Sequence, residues 1–189
     1  MSENSTIIKD TTSNPGPLGL YGFALTTILL NIHNAGFYQI DAMIMAMGIF
    51  YGGGSQFIAG IMEWKKGNTF GSVAFMSYGA FWLTLVFIWI APNFGIPKPD
   101  HISFGSYLMI WGIFSLIFFF QTLNGKKTGI ILFASLFILF ALLSIGTFTQ
   151  NPTILKIAGY EGIICGLIAF YEASAIMINE KFKKNILPL

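Results

Sequence analysis

GIILFASLFILFALLSIGTF, residues 129–148, is a run of 20 residues without a charged side chain. As a helix rising 1.5 Å per residue, such a run spans about 30 Å, the thickness of a bilayer's hydrocarbon core. Working outward, five further stretches share its character: 18–36, 40–62, 70–91, 102–123 and 154–178. The segments between them break helices. Asn34 and Gly36 precede Asp41, and Lys65, Lys66, Gly67 and Asn68 follow the second stretch. Residues 92–100 hold Pro92, Pro97 and Pro99, and Asn124 with Gly125, then Gln150 to Pro152, mark the remaining turns.

Composition agrees. Of 189 residues, 54% are hydrophobic and only 10% charged, where soluble domains carry roughly 25% charge. The mean hydropathy is +0.70. These values exclude a disordered chain, a nucleic-acid binder and an ordinary cytosolic enzyme. A single cysteine, Cys165, rules out an intramolecular disulfide and a cysteine-based metal cluster. The pattern predicts an all-α membrane protein, one bundle of six transmembrane helices. It divides into an N-terminal tail (1–17), the six-helix membrane domain (18–178) and a C-terminal tail (179–189). The N-terminal segment lacks a basic n-region, so no cleavable signal peptide is expected.

All ten basic residues are lysines. Lys9, Lys65, Lys66, Lys126, Lys127, Lys181, Lys183 and Lys184 fall on one side of the six spans. Only Lys98 and Lys156 fall on the other. The positive-inside rule then places both termini in the cytoplasm, and an even number of spans requires the same. The Asn4-Ser5-Thr6 sequon lies on that cytoplasmic tail and has no bearing.

With no room for an extramembrane domain, function must reside in the bundle. Polar groups inside a membrane cost free energy unless they face protein or water. Thr26, Thr27, Asn31, Ser55, Gln56, Ser77, Thr84, Gln121, Ser144 and Thr147 are distributed over the first five spans. They read either as hydrogen-bonding glue between helices or as the lining of a path for a small polar solute. Glycines crowd span two (Gly48, Gly52, Gly53, Gly54, Gly60) and span six (Gly159, Gly162, Gly166), where they permit close helix approach or loosen a helix beside a pore. Glu161 and Glu172 are eleven residues apart and share a face of span six. Glu161 is a candidate proton carrier or a structural residue, and Glu172 suits the helix end. His33 and His101 sit at span ends as solvated interfacial residues. No HExxH, paired aspartates or Ser/His/Asp set lies in the membrane, so neither an enzymatic activity, a metal nor a cofactor is expected.

Spans one, three and five start near Asn14-Pro15, Asn68-Thr69 and Asn124-Gly125, on the lysine-rich side. Asn is a good N-cap and Pro suits the first helical turn. Partial positive charge there would draw small anions to that mouth.

Several blocks resemble a known family. Asn14, Pro15, Gly16, Pro17, Leu18, Gly19 and Leu20 closely resemble the NPAPLGL signature of the acetate uptake transporter family, the succinate–acetate permeases. The resemblance continues through 26–31, 46–53, 66–71, Ser77-Tyr78-Gly79 with Phe81 to Thr84, and 140–143, and so covers nearly the whole chain. Gly16 departs from the family's usual Ala. The resemblance implies uptake of acetate and succinate across the plasma membrane, by a proton-linked carrier or channel-like permease. It also implies a homo-hexamer with one pore per protomer. By motif position, the family's hydrophobic constriction falls on Phe23, Tyr78 and Leu136. Glu161 and Glu172 match no family motif.

That constriction fits the chemistry of the cargo. A free carboxylate resists leaving water, and a carboxylic acid with a pKa somewhat above 4 is neutral for roughly one molecule in several hundred at pH 7. Passage should favour small monocarboxylates, partly desolvated or accompanied by a proton. The competing reading is a passive channel for small neutral solutes such as urea, amides or ammonia, and a third is a membrane sensor that moves no solute.

Overall fold

Helix starts in this chain are written by short polar residues. In the computed structural model, which describes residues 12–189, Asn68 Oδ1 accepts the Gly71 amide at 3.0 Å and Asp100 Oδ1 that of Ser103 at 2.7 Å. Asp41 Oδ1 accepts from Met43 and Asn151 Oδ1 from Thr153. Each satisfies a backbone donor that the first turn leaves without a partner. The Ser103 amide also holds the exposed Asp100 carboxyl below the usual carboxylate range. Asn14 Oδ1 accepts the Gly16 amide at 2.9 Å, with Pro15 and Pro17 pre-set for the turn that follows. Asn124 differs from expectation. It lies in the turn, and helix five begins at Lys127 behind Lys126, which makes no side-chain cap. Lys9 and the Asn4-Ser5-Thr6 sequon lie outside the described residues.

Six rods result: α1 (Gly16–Asn34), α2 (Ala42–Lys65), α3 (Thr69–Ile90), α4 (His101–Thr122), α5 (Lys127–Phe148) and α6 (Pro152–Phe182). A short 3-10 turn, Ala91–Phe94, extends α3. Among the described residues there is no strand. Five of the rods, α2 to α6, are long and apolar enough to cross a membrane. The 19-residue α1 carries Asn31, His33 and Asn34 near its end.

The helices close into a ring. α1 packs on α2 and α6, α6 on α5, α5 on α4, and α2 on α3, while aromatic rings join α3 to α4. The tightest crossing is α1 on α6, where α6 presents Gly159, Gly162 and Gly166 among the buried Ala158, Cys165, Ala169 and Ala173. A Cβ on Gly162 would lie 2.2 Å from Asn31 Cγ, and one on Gly159 would lie 2.3 Å from the Ala35 amide nitrogen. Gly159 leaves room for the Asn34–Ala35 backbone of α1, and Gly162 for the Asn31 side chain.

Gly48 and Gly52 do the same for α3, meeting Val86 and Trp82. In α2 the Met47–Ser55 stretch, which contains Gly52, Gly53 and Gly54, is wound as a π-helix. Such a segment is wider than an α-helix and is uncommon outside functional regions. Isoleucines make up much of the outer surface, among them Ile110, Ile113 and Ile117 on α4 and Ile131, Ile138 and Ile145 on α5. In a membrane that face meets lipid tails or another apolar surface.

Gly162→Ala should lower the thermal midpoint in detergent by several degrees, because overpacking costs about 1–3 kcal/mol. Gly129→Ala, whose new Cβ would find nothing nearer than 4.0 Å, should leave the midpoint unchanged or raise it. Equal melting of both variants would mean that the α1–α6 crossing is not close.

Candidate functional site

Two cavities enter the ring from opposite ends. One, of about 400 Å³, opens on the termini side, where α1 starts and α6 ends, and takes residues from all six helices. Its mouth is polar, with Asn14, Glu63, Asn68, Gln121 and Lys126, and its blind end is apolar, with Leu132, Phe133 and Leu136. The other, of about 660 Å³, opens on the far side between Leu30, His33, Phe81, His101, Leu143 and Gln150.

What separates them follows from helix geometry. The first cavity reaches Phe23 on α1 and Leu136 on α5, and the second begins at Leu30 and Leu143 on the same helices. Seven residues of helix are about 10 Å. On α3 the step is shorter, from Tyr78 to Phe81. The intervening space is filled with rings. Phe81 meets Phe140 at 5.2 Å and Trp111 at 5.3 Å between centroids, and Tyr78 meets Phe23 and Trp111 at 6.1 Å. Phe23, Tyr78, Phe81, Leu136 and Phe140 are all buried.

Phe23, Tyr78 and Leu136, picked out on family resemblance, thus border one cavity at its closed end. The Tyr78 hydroxyl has a defined partner, Ser115 Oγ at 2.9 Å. Ser115 donates its own proton to the Trp111 carbonyl at 2.8 Å. With that proton committed, Tyr78 donates to Ser115, and the phenol oxygen keeps lone pairs for a donor arriving from the cavity.

The polar residues of the spans are placed differently. Gln56 borders the termini-side cavity while its amide donates to Gly52 O at 2.6 Å. Thr26, Thr27 and Asn31 are buried between helices and border neither cavity. Asn31 donates to Thr27 O and accepts from Asn34, and Thr26 donates to Met47 O. Ser77 is half-buried, and Thr84 donates to Phe81 O and meets the Tyr107 hydroxyl at 2.8 Å, both away from the two cavities.

Glu161 Oε1 accepts from Ser135 Oγ at 2.5 Å, and its Oε2 is buried without a hydrogen-bond partner among the described residues. Glu161 borders neither cavity, but Ser135 is the neighbour of Leu136. Glu172 lines the termini-side cavity. His33 Nδ1 donates to the Tyr38 carbonyl at 2.8 Å, and both histidines line the far-side cavity, His33 half-buried and His101 exposed.

The signature residues form the turn into α1. Asn14 and Gly16 border the termini-side cavity, Leu18 and Pro17 face a groove toward Met177, and Gly19 makes room for Phe75, whose ring lies 2.5 Å from where a Cβ would sit.

The geometry has close counterparts. The profile of the GPR1/FUN34/yaaH family matches residues 2–188. The chain belongs to that family. Among GPR1/FUN34/yaaH proteins, the succinate-acetate/proton symporter SatP of Escherichia coli K12 is 51% identical over 178 residues, spanning 94% of this chain and 95% of SatP. Acetate permease A of Emericella nidulans is 34% identical, over 94% of this chain and 65% of its own length. The solved structure of the bacterial acetate channel SatP superposes with a TM-score of 0.93 at 50% identity, covering 95% of this chain and 99% of that one.

One residue at the site escaped the sequence reading. Glu63 is 5% exposed, accepts from Asn68 Nδ2 at 2.7 Å, and lines the termini-side cavity. The expected second span ends at Met62, one residue before Glu63. The spacing of Glu63 and Asn68 around Lys65, Lys66 and Gly67 could have revealed it as part of the helix-to-helix turn.

Replacing Tyr78 by Ala should remove ring volume between the cavities and admit larger carboxylates, measured as flux of acetate against butyrate in proteoliposomes. The bundle should persist, with a melting point lowered by no more than a large-to-small core change brings, about 3–5 kcal/mol. Unchanged flux and unchanged discrimination would place Tyr78 outside the pathway.

Proposed function

We propose that this chain is a membrane transporter of acetate, with succinate and related small carboxylates as further substrates. The observation that carries this reading is the pair of cavities that approach from opposite ends, one stopping at Phe23, Tyr78 and Leu136 and the other at Leu30, Phe81 and Leu143. The scaffold is half-identical to a succinate-acetate/proton symporter. Each protomer holds both cavities by itself, so assembly into a homo-hexamer would multiply pathways without building them. In this reading α1 is the sixth span, since it is bound along its length to α6, and the lysine distribution sets both termini in the cytoplasm of a plasma-membrane protein.

The mechanism follows from the cost of moving a carboxylate through an apolar barrier. Each cavity is wide enough for hydrated acetate, while the barrier of about 10 Å offers rings and a single phenol. A carboxylate stripped of water there loses hydration worth many kcal/mol. Pairing the anion with a proton cancels most of that cost, so transport is electroneutral and linked to the proton gradient. Tyr78 is the polar contact on the way. Its hydroxyl proton is bound to Ser115, and turning it to the passing oxygen exchanges one hydrogen bond for another. Glu161, joined to Ser135 next to Leu136, is the proton-linked carboxylate of this reading.

Radiolabelled acetate should accumulate in proteoliposomes when the outside is more acidic than the lumen, and collapse of the gradient with a protonophore should abolish the accumulation. Uptake of urea without acetate would replace this reading by a neutral-solute channel. Glu161→Gln should weaken the dependence of flux on the pH gradient; an unaltered pH response would return Glu161 to a structural role.

A further inference from the structure

The charged residues lining the termini-side cavity, among those described, are Glu63 from the end of α2, Glu172 from α6 and Lys126 from the start of α5. Two carboxylates and one ammonium on the route of a carboxylate substrate are not what affinity for anions alone would select. Glu63 is also no accident of the surface. It is 95% covered, and its Oε2 is held by Asn68, whose own Oδ1 caps α3. Its backbone carbonyl accepts from Asn68 at 3.0 Å, and its Oε1 lies 3.6 Å from the Cβ position of Gly16. The carboxylate is therefore fixed where α1, α2 and α3 meet, at the cavity's polar mouth. The other side chains around it, Asn14, Asn68 and Gln121, are neutral.

We propose that Glu63 is a specificity-determining residue that discriminates by substrate charge, admitting monocarboxylates over dicarboxylate dianions. This rests on the acetate reading above and adds the residue that sets its preference. A fixed negative charge in a narrow, low-dielectric cavity acts twice on a dianion and once on a monoanion, so it changes their ratio even where it slows both. Glu172, which lines the same cavity from α6, works in the same direction. Lys126 opposes both and keeps the mouth open to singly charged anions.

The test is uptake of labelled succinate and acetate, in competition, by the full-length protein in proteoliposomes at pH 7.5. Glu63→Gln, which still accepts from Asn68 through its amide oxygen, should raise the succinate-to-acetate ratio about fivefold. Glu172→Gln should raise it less, and Lys126→Gln should lower it. At pH 5, where succinate is largely singly charged, wild type and Glu63→Gln should converge. The opposite signs of Glu172→Gln and Lys126→Gln carry the test if Glu63→Gln does not fold. An unchanged ratio in these variants, with wild-type acetate uptake intact, overturns the charge filter alone. A ratio that moves the same way on losing Lys126 as on losing Glu172 does so too. Absence of wild-type acetate uptake overturns the transport reading and this inference with it.

Discussion

The arrangement depends on two helices touching backbone to backbone. Where α6 crosses α1, Gly159, Gly162 and Gly166 put no side chain of α6 between the helices, and the Asn34–Ala35 peptide with the Asn31 and Ile28 side chains of α1 lies in the space so freed. Apolar side chains gain nothing from burial against one another in lipid, because the tails are equally apolar. Close van der Waals contact over a long stretch has to do the work instead. This crossing joins the first helix to the last and so closes the ring. It also fixes the height of α1, and with it the positions of Phe23 at one cavity and Leu30 at the other.

Once the ring is closed, its interior faces a choice that polar residues cannot escape. An unpaired hydroxyl or amide in a dry interior costs about 1–3 kcal/mol. Asn31, Gln56, Thr84 and Ser115 meet that demand through backbone carbonyls of their own helices. Among the described residues, Thr27 Oγ1, the Trp82 indole N–H, Thr128 Oγ1 and one carboxylate oxygen each of Glu161 and Glu172 are buried without a partner. The interior therefore contains many polar atoms and few free ones. Asn31, Thr84 and Ser115 border neither cavity. Tyr78 is the exception by position, since its hydroxyl stands at the closed end of a cavity and its partner is another hydroxyl.

The long elements were legible from sequence because one signal, an uninterrupted apolar run, is sufficient for a membrane helix. The five runs that the structure also finds long and apolar enough to cross begin and end within a few residues of their expected limits, though α6 runs on to Phe182. The local chemistry was less legible. The π-wound Met47–Ser55 has no compositional mark beyond its glycines, which were read as either packing or loosening and which accompany both. Asn124 looked like Asn68, but only Asn68 has a glutamate five residues before it to orient its amide. Glu63 was hidden by its place just past the expected end of the second span, where hydropathy assigns every charge to water. Three-dimensional proximity to Gly16, 47 positions earlier in the chain, is what buries it.

That burial links the signature turn to the rest of the mouth. Asn14 holds Gly16, Gly16 lies against Glu63, Glu63 orients Asn68, and Asn68 starts α3, the helix that carries Tyr78 and Phe81. A residue larger than glycine at 71 would press on both Asn68 and Glu63, since its Cβ would lie 2.6 Å from Asn68 Nδ2 and 3.0 Å from Glu63 Cδ. The helix starts that face this mouth, those of α1, α3 and α5, add partial positive charge, so the fixed carboxylates sit within a field of opposite sign. A mouth built from opposed charges can attract a singly charged anion weakly and still disfavour a doubly charged one, because the balance of the two contributions shifts with each added charge.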